Sequence, residues 1–179
     1  NVVESAIKLR SQIEKAADEV CEEGFSNIFF IGCGGTYAHS LPMKYWLDSE
    51  SNLETHSVIA SEFIEMKHKK FSKDSLCIFS TRSGNTKEIV QAAKFCKDAG
   101  ARTLIYVSND NTPVCEYATY KFYSFAEDDC LCEAIYTYMI ILLARILKNT
   151  NQFSNYDIFM KQFNDLPEAL IKAKKLYEE

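Results

Sequence analysis

Leu76-Cys77-Ile78-Phe79, followed by Thr81-Arg82-Ser83-Gly84-Asn85-Thr86, carries an apolar strand-like run into a turn dense in hydroxyls, and a helical pattern begins near Lys87. At such a turn the first backbone N–H groups of the helix have no internal partner, and the helix dipole favours negative charge there. Thr81, Ser83 and Thr86 add O–H donors, Gly84 permits close backbone approach, and Arg82 supplies positive charge. A phosphate on a small molecule suits that set. No Lys follows the glycine, so the segment is not a nucleotide P-loop. Taken alone it would read equally well as an ordinary Ser/Asn-rich capped turn.

A second loop of the same kind changes that balance. Gly32-Cys33-Gly34-Gly35-Thr36-Tyr37 follows the strand-like run 27–31 and precedes a helical pattern through Ala38, Leu41, Tyr45 and Trp46. Its glycines lack the third position of a dinucleotide fingerprint, and Asp48, Glu50 and Glu54 do not supply the strand-end acid that such a site needs. Monophosphate binding fits better. Working outward, strand patterns fall at 27–31, 55–59, 75–80, 102–107 and 120–125. Helical patterns lie between them at 37–48, 61–66, 86–99 and 113–118. This alternation predicts an α/β fold, a three-layer doubly wound sandwich around a five-stranded parallel sheet. Right-handed crossovers make 2-1-3-4-5 the economical strand order. In that order the two polar loops lie side by side where the chain changes direction across the sheet, which is where open α/β sheets bind ligands.

Residues 2–23 read as one long amphipathic helix, with Val3, Ala6, Ile13, Ala17 and Val20 on its apolar face and Gly24 as its stop. A further helix is predicted at 131–148, carrying Ile135, Met139, Leu142, Leu143 and Ile146. The acidic run Glu127-Asp128-Asp129 before it suits a helix N-terminus; the functional alternative is that Glu127 or Glu133 faces a ligand. After a polar stretch, a final helical segment reaches Glu179, with Pro167 kinking or restarting it. The apolar faces of the first and last helices suggest association into dimers or larger homo-oligomers.

Gly34-Gly35-Thr36-Tyr37 and Thr81-Arg82-Ser83-Gly84-Asn85-Thr86 resemble the two phosphate loops of the sugar isomerase (SIS) domain family, with Thr81 where the second loop usually starts with Ser. Within that family, Phe29 to Gly35, Lys44-Tyr45, Ala60 to Ile64 and Ser83 to Thr86 are most similar to bacterial fructosamine-6-phosphate deglycases. The resemblance covers the chain from about Asn27 onward. It implies a phosphosugar ligand held by Thr36, Thr81, Arg82, Ser83, Asn85 and Thr86, with Gly34 and Gly35 offering backbone N–H groups. It also implies cleavage of a fructosyl-amino acid 6-phosphate to glucose 6-phosphate and the amino acid. The family's general base lies in a second SIS half beyond Glu179, leaving Glu127 and Glu133 as weaker local candidates. The corresponding division is a helix at 1–24, an SIS domain at 25–150 and a helical linker at 151–179. The isomerase half of a hexosamine-forming synthase, a ketose–aldose isomerase and a phosphosugar-sensing domain of a transcriptional regulator remain alternatives.

Composition limits the other classes. The 179 residues suffice for one domain with a sizeable core, and 47% hydrophobic with 25% charged residues is ordinary for a globular protein. A net charge of −5 gives no basic surplus for nucleic acid. No apolar run is long enough for a membrane span, and charges interrupt the first fourteen residues where a signal peptide would lie. Seven scattered cysteines without C-x-x-C spacing give neither a disulfide framework nor a metal site, and point to a reducing, cytoplasmic setting. Cys33 lies in a glycine loop with no histidine placed in sequence to activate it. No cofactor or metal is called for.

Overall fold

The computed structural model describes residues 2–125 and 131–178. The elements run α1 (Val2–Ile7), α2 (Arg10–Glu23), β1 (Asn27–Gly32), α3 (Gly35–Glu50), β2 (Thr55–Ile59), α4 (Ala60–Met66), β3 (Ser75–Thr81), α5 (Lys87–Asp98) and β4 (Arg102–Val107). A 3₁₀ turn (Pro113–Tyr117), β5 (Tyr120–Tyr123), α6 (Leu131–Asn149), α7 (Tyr156–Asn164) and α8 (Leu166–Glu178) complete the chain. All strand pairs are parallel and the order is β2-β1-β3-β4-β5, as the alternation predicts. Every residue of β1 and β3 is buried, because helices cover both faces of the sheet.

The two faces build two cores. Ile28, Phe30, Leu76, Ile78, Leu104 and Tyr106 point to the side covered by α2, α3 and α6. Phe29, Ile31, Cys77, Phe79, Ile105 and Val107 point to the side covered by α4 and α5. Cys77 and Cys96 are fully buried there as small apolar side chains. Helix α6 is buried on most of its circumference, from Ala134 and Ile135 through Leu147. A helix apolar nearly all round needs neighbours on several sides, and α1, α2, α3 and α7 provide them.

Several expectations are corrected. The helix over 2–23 is broken at Lys8-Leu9, where the Leu9 N–H turns to the Ala6 carbonyl at 3.1 Å, three residues back, and tightens the turn before α2 begins. Its apolar face is not exposed: Val3, Ala6, Ile13, Ala17 and Val20 are buried, largely beneath α6. Of the first and last helices, it is the last that leaves large apolar side chains in solvent, Leu176 at 75% and Tyr177 at 91% exposed. Strand β5 stops at Tyr123 instead of 125, because its partner β4 ends at Val107, opposite Tyr123. The 113–118 segment forms a 3₁₀ turn with Pro113 at its start. Pro167 restarts the tail: it lies in the first turn of α8, where its missing N–H costs no helical bond.

One polar network ties α2 to α6. Arg145 donates to both Asp18 oxygens (Nε to Oδ1 2.6 Å, Nη2 to Oδ2 2.9 Å), and Asn149 Nδ2 donates to Oδ1 at 2.7 Å. The Arg145 hydrogen bond holds the Asp18 carboxyl below its usual range. A depressed carboxylate contributes stability that is present above its unfolded pKa and lost as pH falls through the folded one. Asp18→Asn should therefore lower stability at pH 7 by about 1 kcal/mol. The difference should shrink toward zero as pH falls below the ordinary Asp range, measured by urea unfolding of both proteins across pH.

Candidate functional site

Strands β1 and β3 are neighbours, but their crossovers leave in opposite directions, β1 toward β2 and β3 toward β4. Their C-terminal ends open a crevice there, and the loops 33–34 and 82–86 both lie at it. Local chemistry fixes each loop. In the first, Gly34 takes φ +58° just before α3, and space for a Cβ is open at both Gly34 and Gly35. Gly32 has no such freedom: a Cβ there would meet the Tyr37 backbone nitrogen at 2.5 Å, so the glycine lets α3 start hard against the end of β1.

Thr36 is committed within the first loop. Its Oγ1 donates to the Cys33 carbonyl and accepts the Cys33 N–H, both at 3.1 Å. In the second loop, Thr81 is buried and its Oγ1 accepts the Gly84 N–H at 3.2 Å. Ser83 Oγ accepts the Asn85 N–H at 3.3 Å. Thr86 precedes α5 without capping it by its side chain, so the first-turn N–H groups of that twelve-residue helix receive no side-chain cap from it. Arg82 and Asn85 are exposed, and Ser83 and Thr86 are half-buried. Gly84 also has a packing reason to be glycine: at φ +64°, its missing side chain makes room for Thr112, whose side chain lies where a Cβ would be. The Gly84 carbonyl also accepts the Val114 N–H at 3.2 Å. The segment after β4 therefore braces the second loop.

The structure thus brings Gly34, Gly35 and Thr36 to the same edge of the sheet as Thr81, Arg82, Ser83, Asn85 and Thr86. Glu133 is exposed on the first turn of α6, while Glu127 lies outside the described residues. Sequence reasoning missed a row of hydroxyls on the α6 side of the same edge. Ser80 Oγ, Ser108 Oγ, Ser124 Oγ and the Tyr138 hydroxyl are buried with no hydrogen-bond partner among the described residues. The Tyr106 hydroxyl beside them donates to the Ser124 carbonyl at 3.4 Å, and the Tyr106 and Tyr138 rings stack at 5.1 Å. Burial pushes both phenols up, so they stay neutral. The available signal was a Ser closing or following each of the apolar runs of β3, β4 and β5. Also missed was a contact between α3 and α6, His39 Nε2 to Cys132 Sγ at 3.0 Å.

Comparison with known proteins agrees with this architecture. The SIS domain family model matches residues 25–148. The fructosamine deglycase FrlB of Bacillus subtilis is 26% identical over 176 residues, 96% of this chain and 54% of that protein. The isomerizing glutamine–fructose-6-phosphate aminotransferase of Bartonella henselae is 26% identical over 95 residues, 53% of this chain and 16% of that protein. A Salmonella typhimurium LT2 protein solved as a candidate phosphosugar isomerase superposes with a TM-score of 0.82 at 28% identity, over 93% of this chain and 52% of that one. The chain spans about half the length of the deglycase and of that isomerase structure. With its sheet order, its paired loops and a family match over most of its length, the chain belongs to the SIS domain family.

Proposed function

We propose that this chain is the phosphosugar-binding half of a cytoplasmic, oligomeric fructosamine 6-phosphate deglycase. The observation that carries this is the reach of the similarity to a fructosamine deglycase, 96% of the chain, where the similarity to the aminotransferase covers 53%. The ligand would enter at the β1/β3 crevice. Its phosphate would meet the first-turn N–H groups of α5, the Ser83 and Thr86 hydroxyls, and the open backbone at Gly34 and Gly35, with Arg82 adding charge. Thr36 and Thr81, whose hydroxyls bond within their own loops, would hold those loops in shape, and Asn85 would shape the second loop through its N–H to Ser83.

Cleavage of a fructosyl-amine then requires a proton moved from C1 to give an enediolamine, its conversion to an imine, and hydrolysis to glucose 6-phosphate and the amine. A base and an acid poised near neutrality must stand at C1 and C2. Among the described residues Glu133 is the local carboxylate candidate, and as an exposed residue in the first turn of α6 it has a sufficient structural reason to be there. The base is assigned to the second half that the relatives' greater length accommodates.

Two measurements test these assignments. Ser83→Ala with Thr86→Ala removes two hydrogen bonds to a charged group, each worth about 1.5–3 kcal/mol. Calorimetric affinity for glucose 6-phosphate should fall at least about tenfold with the fold intact; unchanged affinity would exclude the loop as the phosphate site. The 179-residue chain should bind phosphosugar yet release no amine from fructoselysine 6-phosphate, and joining it to a second SIS half should restore turnover. Turnover by this chain alone that Glu133→Gln abolishes would place the base on α6. Conversion of fructose 6-phosphate in preference to the fructosyl-amine would make the protein an isomerase.

A further inference from the structure

We propose that Cys132 and His39 form a reactive thiol–imidazole pair, a site of oxidation by small hydroperoxides on the face of the molecule that carries the two loops. Cys132 is exposed on the first turn of the nineteen-residue helix α6, and its Sγ lies 3.0 Å from His39 Nε2. His39 stands on α3, four residues after Gly35 opens that helix. The second turn of α3 and the first turn of α6, far apart in sequence, therefore meet at one imidazole and one thiol.

The surroundings of His39 fix what the pair can do. The Tyr136 ring meets the imidazole edge to face at 5.4 Å, which sets the plane of the ring. Nδ1 is enclosed with no hydrogen-bond partner among the described residues, so proton exchange runs through Nε2, the atom that faces sulfur. Burial pushes the imidazole below its usual range and favours the neutral form, which accepts a thiol proton, while the charge of Glu133 opposes that shift and would support the imidazolium once formed. The other described thiols are placed differently. Cys77 and Cys96 are sealed in the core, Cys21 and Cys33 are half-buried, and Cys115, also half-buried, lies against the Thr112 hydroxyl at 3.5 Å.

The oxidation balances with the hydroperoxide as sole co-reactant. The sulfur lone pair attacks the terminal peroxide oxygen, an S–O bond forms and the O–O bond breaks. The thiol proton passes to His39 Nε2 and on to the leaving oxygen, which departs as water or an alcohol. Sulfur loses two electrons to become a sulfenic acid and the peroxide gains them. The added oxygen occupies the space between Sγ and Nε2, so the product breaks the contact that joins the second turn of α3 to the first turn of α6.

The test treats the full chain with hydrogen peroxide in the presence of dimedone and follows each cysteine by peptide mass spectrometry between pH 5.5 and 8.5, with fragment ions separating Cys132 from Cys130. Cys132 should be trapped at least about tenfold faster than Cys33 or Cys115, and that advantage should vanish when the chain is unfolded in urea. His39→Gln should slow Cys132 about tenfold at pH 7 and return its pH dependence to that of an ordinary thiol, with the Cys33 rate unchanged as an internal check on folding. Equal rates at Cys132 and Cys33 in the folded wild-type chain would overturn the proposal. An unaltered pH profile in a folded His39→Gln protein would do the same.

Discussion

A parallel strand returns to its starting end only through a crossover, and right-handed crossovers leaving β1 and β3 in opposite directions open a gap that helices cannot fill. The rest of the molecule depends on that gap. It places two strand-to-helix turns side by side although 46 residues separate Thr36 from Arg82 in the chain. It also forces both turns to satisfy their backbone without a covering helix. Hence the concentration of glycine and hydroxyl residues there, and the burial of apolar side chains along β1 and β3 as far as those turns.

Within the crevice, most of the hydroxyls already take part in a bond inside their own loop. Thr36 closes on Cys33, Thr81 on Gly84 and Ser83 on Asn85. These bonds pre-set the loops, so the entropy of ordering them is met on folding. Thr86 is the hydroxyl of the second loop that does not cap its helix. Gly84 joins this pre-setting to the far side of the sheet: it admits Thr112 and bonds Val114, coupling the second loop to the 3₁₀ turn before β5.

Much of this was legible in the sequence, for identifiable reasons. Central strands buried on both faces read as apolar runs, so 27–31 and 75–80 emerge close to the bounds observed, and the strand order follows from alternation and handedness. What was not legible depends on partners. The apolar stripe of α1 and α2 is the same pattern whether it meets solvent, a second copy or α6, and only the fold shows that α6 covers it. The packing reason for Gly84 was hidden, because no local pattern reveals Thr112 twenty-eight residues on. Ser80, Ser108 and Ser124 are single polar residues at the ends of apolar runs, and become a cluster only when β3, β4 and β5 lie side by side.

The placement of α6 joins these two kinds of information. A nineteen-residue helix with its middle and C-terminal turns buried on most sides has almost no freedom to slide or rotate, since any shift would expose Leu142 or Leu143. Its first turn, by contrast, carries the exposed Cys132 and Glu133 at the loop face. Rigid at one end and solvent-facing at the other, α6 can present chemistry to the crevice with the precision of the core behind it. This is the arrangement expected where side chains on regular elements, rather than on loops, must hold a fixed distance to a bound ligand.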